Sequence, residues 1–248
     1  MLSLTGLALA VFFAWLYLVP TALDMYGAMQ GPARWMMAGT WDARYFGLML
    51  LMWALMMVGM MLPSAAPTIL LYGAVARKNA EASVIVRIHA FTAGYLLAWT
   101  GFSLLATLLQ WALSTGSLLS PMMVSSSPWL SSIILIGAGI YQWTPQKSVC
   151  LTRCRSPVEF MARYWRPGAM GAIRMGWIHG LFCLGCCWAL MLLLFFGGVM
   201  SLSWIAAISI FVMLEKLVPL GAQGGKLSGL LLIAAGLTVA SRAWIMPG

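Results

Sequence analysis

Side chains that bind soft metal ions are concentrated in two neighbouring apolar stretches of the chain. His179, Cys183, Cys186 and Cys187 stand in the run HGLFCLGCCW, and Glu215 stands near the end of the next run. The whole sequence contains only 2 His, 5 Cys and 5 acidic residues. Polar and thiol groups inside apolar sequence are costly to keep without a role. The pattern therefore predicts a metal site with these five residues as candidate ligands.

Helix geometry limits how these residues can bind a metal ion. On an α-helix, the side chains from His179 to Cys187 fall within an arc of about 100°. They also spread over about 12 Å along the helix axis. Because metal–ligand bonds measure about 2.0 to 2.3 Å, one ion cannot bind all four side chains. Two side chains three or four residues apart can share an ion, and the remaining ligands must come from other helices.

The types of ligand indicate which metal the site prefers. Thiolate, thioether and imidazole groups suit copper(I) or zinc better than magnesium or calcium. The run MMVGMM also places Met56, Met57, Met60 and Met61 in an earlier apolar stretch. These thioethers favour copper if they face the site, whereas core or lipid-facing positions would give them no role in binding. A metal ion is the expected cofactor, with copper favoured over zinc.

Each candidate also has a purely structural interpretation. Small residues around Gly185 permit close packing of helices, which would account for part of the CLGCC run. His179 would then only hydrogen-bond a neighbouring helix. Glu215 would pair with Arg174 or Lys216 near the membrane surface. Its functional alternatives are a ligand role and a role in a proton relay.

Two further cysteines, Cys150 and Cys154, stand in the polar run CLTRC. Their spacing matches neither a C-x-x-C redox motif nor a standard zinc motif. Arg153 and Arg155 beside them are expected to lower the pKa of both thiols. A surface loop is the favoured interpretation of this run, and relay of a soft metal or binding of an anion is the alternative.

The composition excludes a water-soluble globular domain. The chain is 62% hydrophobic and 8% charged, with a mean hydropathy of +0.94, whereas soluble domains are about a quarter charged. Long continuous apolar runs indicate membrane-spanning helices and not barrel strands, whose apolar residues alternate. The sequence predicts one all-α integral membrane domain, residues 1–248, with the lipid bilayer as its partner. The net charge of +9 reflects short basic loops, and no nucleic-acid partner is expected.

The apolar runs predict about seven helices. They cover residues 4–19 (closed by Pro20), 45–76, 89–113, 129–143 and 172–196, then a sixth from a Gly197–Gly198 turn to Pro219, and 227–245. Pro63 and Pro67 stand one turn apart in the second helix, which should therefore kink or break and leave carbonyl groups in need of partners.

Basic residues predict the orientation of this bundle. Loops after the second, fourth and sixth helices hold three, six and two Lys or Arg, against three on the opposite side. The N-terminus and a basic loop at about 145–171 are thus predicted in the cytoplasm, with the C-terminus outside. The first apolar run has no Lys or Arg before it and is expected to be a retained helix. This arrangement places both histidines, all the cysteines and Glu215 towards the cytoplasmic side.

Three motifs, MMLPSAAP, HGLFCLGCCWALM and LEKLVP, together resemble a bacterial family of predicted metal-binding integral membrane proteins. The resemblance covers most of residues 45–220. It implies a polytopic helical fold in the bacterial inner membrane and a metal-binding role for His179, Cys183, Cys186 and Cys187.

The predicted function is binding of a soft metal, with copper favoured, by a multi-pass protein of the inner membrane. Metal delivery, metal-dependent assembly of a partner and a metal-centred redox step all fit this prediction. One alternative is a transmembrane thiol oxidoreductase, which would use thiol exchange among the cysteines. Another is an accessory structural subunit of a larger membrane protein complex. The chain shows no hydrolase triad, phosphate loop or nucleotide fingerprint, so no catalytic residue is assigned.

Overall fold

The computed structural model describes residues 2–27, 29–31, 33–37, 40–79, 83–218 and 221–245. A short 3-10 helix, Arg34–Met37, precedes the second α-helix. The α-helical segments are α1 (Leu2–Met25), α2 (Ala43–Lys78), α3 (Val84–Thr115), α4 (Pro128–Tyr141), α5 (Pro145–Arg155), α6 (Pro157–Tyr164), α7 (Gly168–Met191), α8 (Leu193–Gly197), α9 (Leu202–Leu217) and α10 (Gly221–Ile245). The all-α prediction is confirmed for these residues.

The number of helices differs from the prediction of seven. α7 and α8 continue as one helix, Gly168–Gly197, so the described part of the chain has nine separate helices. The two additional ones are α5 and α6, which lie in the polar segment assigned above to a basic loop. Thr144 starts α5 by accepting a hydrogen bond from the Lys147 backbone N–H, and a proline occupies the first turn of both helices. The side of the membrane on which this segment lies stays a prediction.

In the described part of the chain, five helices are long and apolar enough to cross a bilayer: α1, α2, α3, the continuous α7–α8 helix and α10. A straight crossing takes about 20 residues. α4 and α9 have 14 and 16 residues and are shorter than that. Helices able to span a membrane are thus present, whereas the cytoplasmic N-terminus and the inner-membrane location stay predictions.

Prolines lie inside two of the helices without ending them. α1 continues beyond Pro20, and α2 runs without a break through Pro63 and Pro67. A proline inside a helix removes the hydrogen bond to the carbonyl four residues earlier, which for Pro63 is that of Gly59. The Trp15 indole N–H donates to this carbonyl at 3.3 Å. The predicted need for carbonyl partners is confirmed, and the predicted helix end at Pro20 is wrong.

The backbones of α3 and α7 nearly touch. A Cβ atom on Gly94 would lie 2.0 Å from the Ile173 carbonyl oxygen, and one on Gly176 would lie 1.9 Å from that of Phe91. Only glycine permits this approach, which is typical of small residues at the interfaces of membrane helices. The contact holds the first half of α7 directly against α3.

Candidate metal centre

The predicted ligands of α7 all face the protein interior. His179, Cys183, Cys186 and Cys187 are exposed by 2%, 1%, 1% and 0%. The Cys186 and Cys187 thiols donate to the Cys183 carbonyl, at sulfur–oxygen distances of 3.0 and 2.9 Å. The prediction of one common face is therefore confirmed, and this face is buried.

Helix α5 places the other two cysteines, Cys150 and Cys154, against α7. A Cβ atom on Gly185 would lie 2.6 Å from the Cys150 sulfur, so Cys150 packs directly on the α7 backbone. One turn further along α5, the Cys154 thiol lies near those of Cys183 and Cys186, which raise its pKa. The surface-loop interpretation of these two residues is wrong. We call the resulting group the thiol cluster: Cys150, Cys154, Cys183, Cys186 and Cys187, all of them free cysteines.

The pKa values of the two α5 thiols are also opposite to the prediction. Burial raises the pKa of Cys150, and the charge of Arg153 offsets this only in part. Hydrogen bonds with Cys183 and Cys186 raise the pKa of Cys154 well above its usual range, and burial adds to the effect. Both α5 thiols are therefore less ionised at neutral pH than an exposed cysteine.

The two arginines of the CLTRC segment are engaged elsewhere. Arg153 donates to the Tyr164 hydroxyl at 2.7 Å, and its guanidinium lies 5.3 Å from the centre of the Phe182 ring. Arg155 donates to the Val218 carbonyl at the end of α9. They fasten α5 to α6, α7 and the end of α9.

A lysine supplies the positive charge at the centre of the cluster. Lys216 Nζ lies 2.8 Å from Cys183 Sγ and 3.0 Å from Ser64 Oγ. The Tyr95 hydroxyl lies 3.0 Å from the same sulfur. The thiolate is the form of cysteine that binds metals, and an adjacent ammonium compensates its negative charge. Lys216, considered above as a partner for Glu215, thus faces Cys183.

Helix α2 contributes a thioether to the cluster. Met61 Sδ lies 3.9 Å from Cys187 Sγ. The Met61 carbonyl accepts hydrogen bonds from the hydroxyls of Tyr95 and Ser64, at 3.1 and 2.8 Å. The four methionines of the MMVGMM run are all buried: Met56, Met57, Met60 and Met61. Lipid-facing positions are therefore excluded for them.

Glu215 pairs with a residue that the sequence did not suggest. Its two carboxylate oxygens lie 2.7 and 2.8 Å from Lys147 Nζ, and Lys147 also donates to the Gln142 side chain. The side chains of Lys147 and Glu215 are only 3% and 2% exposed. The expected pairing with Arg174 or Lys216 is wrong, and the ion pair instead ties α5 to α9. A role for Glu215 as a metal ligand stays a prediction.

The two histidines occupy different environments. His179 packs among the rings of Phe91, Tyr95 and Phe160, with centroid distances of 6.2, 5.8 and 5.2 Å. Its Nδ1 atom is buried and has no hydrogen-bond partner among the described residues. Burying such a nitrogen without a partner is costly, and a bound ligand would remove that cost. His89 is exposed and faces α1.

The cluster contains suitable donor atoms without forming a closed metal site. Within the described ranges, no three His, Cys, Asp or Glu side chains are arranged to hold one ion. The thiols of Cys186 and Cys187 are turned towards the Cys183 carbonyl, so a bound ion would require them to rotate. Thiol, thioether and imidazole groups on the facing sides of α2, α5 and α7 nevertheless match the preferences of a soft cation.

Several residues of the centre could not be identified from the sequence alone. Tyr95 and Lys147 gave no signal, because a single polar residue in an apolar or basic run has many uses. Cys150 and Cys154 did carry one: their four-residue spacing places both thiols on one face of a helix. The spacing indicates a common face only if residues 145–155 form a helix, which the polar composition of this segment did not suggest.

The described residues form a helical protein with helices long and apolar enough to cross a membrane and with a cluster of soft metal ligands where α2, α5 and α7 meet. The chain matches the family model PpoB2, described as copper chaperone, over residues 50–239, and it belongs to this family. The matched range includes the whole thiol cluster, His179 and Lys216. Comparisons with curated proteins and with solved structures find no match.

Proposed function

We propose that this protein is a copper chaperone of the bacterial inner membrane that takes copper(I) as its cargo at the thiol cluster. One observation carries the proposal: the thiols of Cys183, Cys186 and Cys187 are buried on one face of α7, and the Met61 thioether lies 3.9 Å from the Cys187 sulfur. Soft sulfur ligands select copper(I) over hard cations. Membership of the copper chaperone family supports the same conclusion.

Cys183 is the central ligand in this proposal. Its sulfur contacts Lys216 and Tyr95, which hold it in place and balance its charge. When copper(I) bonds to this sulfur, a proton leaves the thiol, or Lys216 withdraws to Ser64, its other partner at 3.0 Å. Cys154 and Cys186 then supply further sulfurs. The unpartnered Nδ1 of His179, one turn before Cys183 on the same face, is the candidate nitrogen ligand. It would share the ion with Cys183 in place of Cys186, because His179 and Cys186 are too far apart along the helix for one ion.

The cluster is suited to transient binding. Its thiols hydrogen-bond to one another and to a backbone carbonyl, and these bonds are available again when the metal leaves. A chaperone must release its cargo, so an incompletely closed site is an advantage. We infer that the protein delivers copper to a partner in or at the membrane.

The proposal is tested by titrating copper(I) into the purified full-length protein. Measurements are made anaerobically in detergent, in competition with the chelator bathocuproine disulfonate. Cys183→Ser and Cys154→Ser should each weaken copper(I) binding by at least about tenfold, because a hydroxyl is a poor ligand for a soft cation. Zinc is titrated in parallel and should bind more weakly than copper(I).

The two histidines provide a matched control. His179→Ala should lower the affinity for copper(I), whereas His89→Ala should leave it unchanged, since His89 lies exposed against α1. Unchanged copper binding in both cysteine variants, with the fold intact by size-exclusion chromatography, would contradict the proposal.

The thiol oxidoreductase is the second candidate, because contact among several thiols also permits disulfide exchange. It is separated from the first by mass spectrometry of protein alkylated before and after reduction. A disulfide that forms and is reduced in turnover with a partner, without bound copper, would favour the oxidoreductase. A fixed set of co-purifying proteins, without copper binding, would favour an accessory subunit.

A further inference from the structure

A row of buried methionines leads away from the thiol cluster along α2. It begins at Met61, whose sulfur lies 3.9 Å from that of Cys187. The other members lie towards the start of the helix, and each is at most 2% exposed: Met60, Met57, Met56, Met52 and Met49. We call these six residues the methionine row. From Met49 to Met61 it covers about 18 Å along the helix axis.

The spacing of the row keeps its thioethers within reach of one another. Each member has another member three or four residues away, and such residues have Cβ atoms about 5 to 6 Å apart on a helix surface. Methionine side chains are long and flexible. Neighbouring sulfurs can therefore approach a common cation, and the first of them, Met61, lies beside the thiol cluster.

The far end of the row reaches a cavity near the start of α2. The sulfur of Met49 accepts a hydrogen bond from the Gln110 amide at 3.5 Å, and Gln110 accepts one from the Trp53 indole at 2.7 Å. Gln110 lines a cavity of about 230 Å³ together with two further methionines, Met36 and Met123. We call it the Gln110 cavity. Thioethers are thus present at both ends of the row and along it.

Met123 has an unusual backbone in this cavity. Its φ angle is +56°, in the left-handed region that bulky residues rarely adopt. The conformation is held by a hydrogen bond from its N–H to the Ser120 carbonyl at 2.8 Å. Its side chain is only 4% exposed. Residues held in such conformations cluster at functional sites.

Packing alone would require apolar bulk in these positions but no sulfur. Leucine fills nearly the same volume as methionine, and the exchange is usually tolerated in protein cores. What distinguishes methionine is its affinity for soft cations. We propose that the methionine row is a path for copper(I) between the thiol cluster and the Gln110 cavity. This inference rests on the proposed function, since it takes copper(I) as the cargo.

The test uses the full-length protein reconstituted into vesicles that contain bathocuproine disulfonate, a chelator that does not cross membranes. Copper(I) is supplied outside as its glutathione complex, and the coloured chelate that forms inside is followed over time. The double variant Met56→Leu/Met60→Leu should slow this reaction by at least about tenfold, because leucine offers no ligand to copper(I). Equilibrium binding of copper(I) by the same variant in detergent should equal that of the wild type.

Met175→Leu is the matched control. Met175 is a fully buried methionine of α7 outside the row, and its sulfur accepts the Arg166 backbone N–H at 3.3 Å. This variant should transfer copper(I) at the wild-type rate. A general packing defect would instead slow both variants.

The outcomes separate the inference from the proposed function. If the wild type binds copper(I) in detergent but forms no chelate inside the vesicles, the path is disproved and the chaperone proposal stands. Equal rates for the wild type and the double variant also disprove the path. A wild type that binds no copper(I) in detergent disproves the proposed function, and the path with it.

Discussion

Two buried lysines on the α5 and α9 side of the protein face opposite kinds of partner. Lys147 lies on α5 and pairs with the carboxylate of Glu215. Lys216, the next residue along α9, faces the sulfur of Cys183 and the hydroxyl of Ser64. One lysine therefore belongs to an ion pair between two helices, and the other belongs to the thiol cluster.

The difference lies in how each partner behaves when its lysine is lost. A carboxyl group has a usual pKa of about 4.3, and a thiol has a usual pKa of about 8.5. At neutral pH a thiol without a cation simply keeps its proton, whereas a carboxylate resists neutralisation. We infer that the Lys147–Glu215 pair holds α5 against α9, and that Lys216 serves the cluster with little contribution to folding.

The largest effect is expected from breaking the ion pair. Lys147→Met leaves Glu215 buried without its cation, which should lower the free energy of unfolding by about 3 to 5 kcal/mol. Unfolding of the purified protein in mixed micelles, followed by circular dichroism, measures the change. The double variant Lys147→Met/Glu215→Leu should recover most of the loss, since an apolar pair needs no compensation. If both variants were equally unstable, packing and not charge would explain the loss.

A smaller effect is expected from Lys216→Met. Cys183 then loses one neighbour, and Ser64 keeps its bond to the Met61 carbonyl, so stability should change by no more than about 1 kcal/mol. The same unfolding measurement applies. A loss as large as that of Lys147→Met would show that the two lysines have the same role and would remove the contrast between them.

The smallest and most specific effect concerns the α5 thiols. The pKa values of Cys150 and Cys154 are raised, so both thiols are mostly protonated at pH 7. Because the thiolate is the reactive form, they should react with iodoacetamide more slowly than a cysteine in an unfolded peptide. The rate should increase steeply as the pH rises above the usual thiol pKa. Mass spectrometry of peptides after timed labelling gives the rate at each site, and fast labelling at pH 7 would contradict the prediction.

Much of the fold followed from the sequence because apolar runs of membrane length have few alternatives. Each of the seven predicted helices has a counterpart, and the common face of His179 and the three α7 cysteines follows from their spacing. The copper-related family agrees with the prediction from ligand types. Carbonyl partners near Pro63 were also predicted, since a proline inside a helix always frees one acceptor.

The sequence could not reveal which helices meet. α5 carries Lys147, Arg153 and Arg155, so its composition indicates a solvated loop, yet each of the three has a partner in the fold. These partners lie on other helices, so the residues around α5 in the sequence do not indicate them. For the same reason Lys216 was assigned to the acid beside it, whereas adjacent residues on a helix point in different directions.

The close contact of α3 with α7 has a mechanical consequence for the metal centre. Gly94 and Gly176 leave no space between the backbones of these two helices. Helices α5 and α9 are instead joined through side chains, by the Lys147–Glu215 ion pair and by Arg155, which donates to the Val218 carbonyl. Separating α5 from α9 therefore requires that the Lys147–Glu215 ion pair break, whereas α3 and α7 have no space to approach each other further.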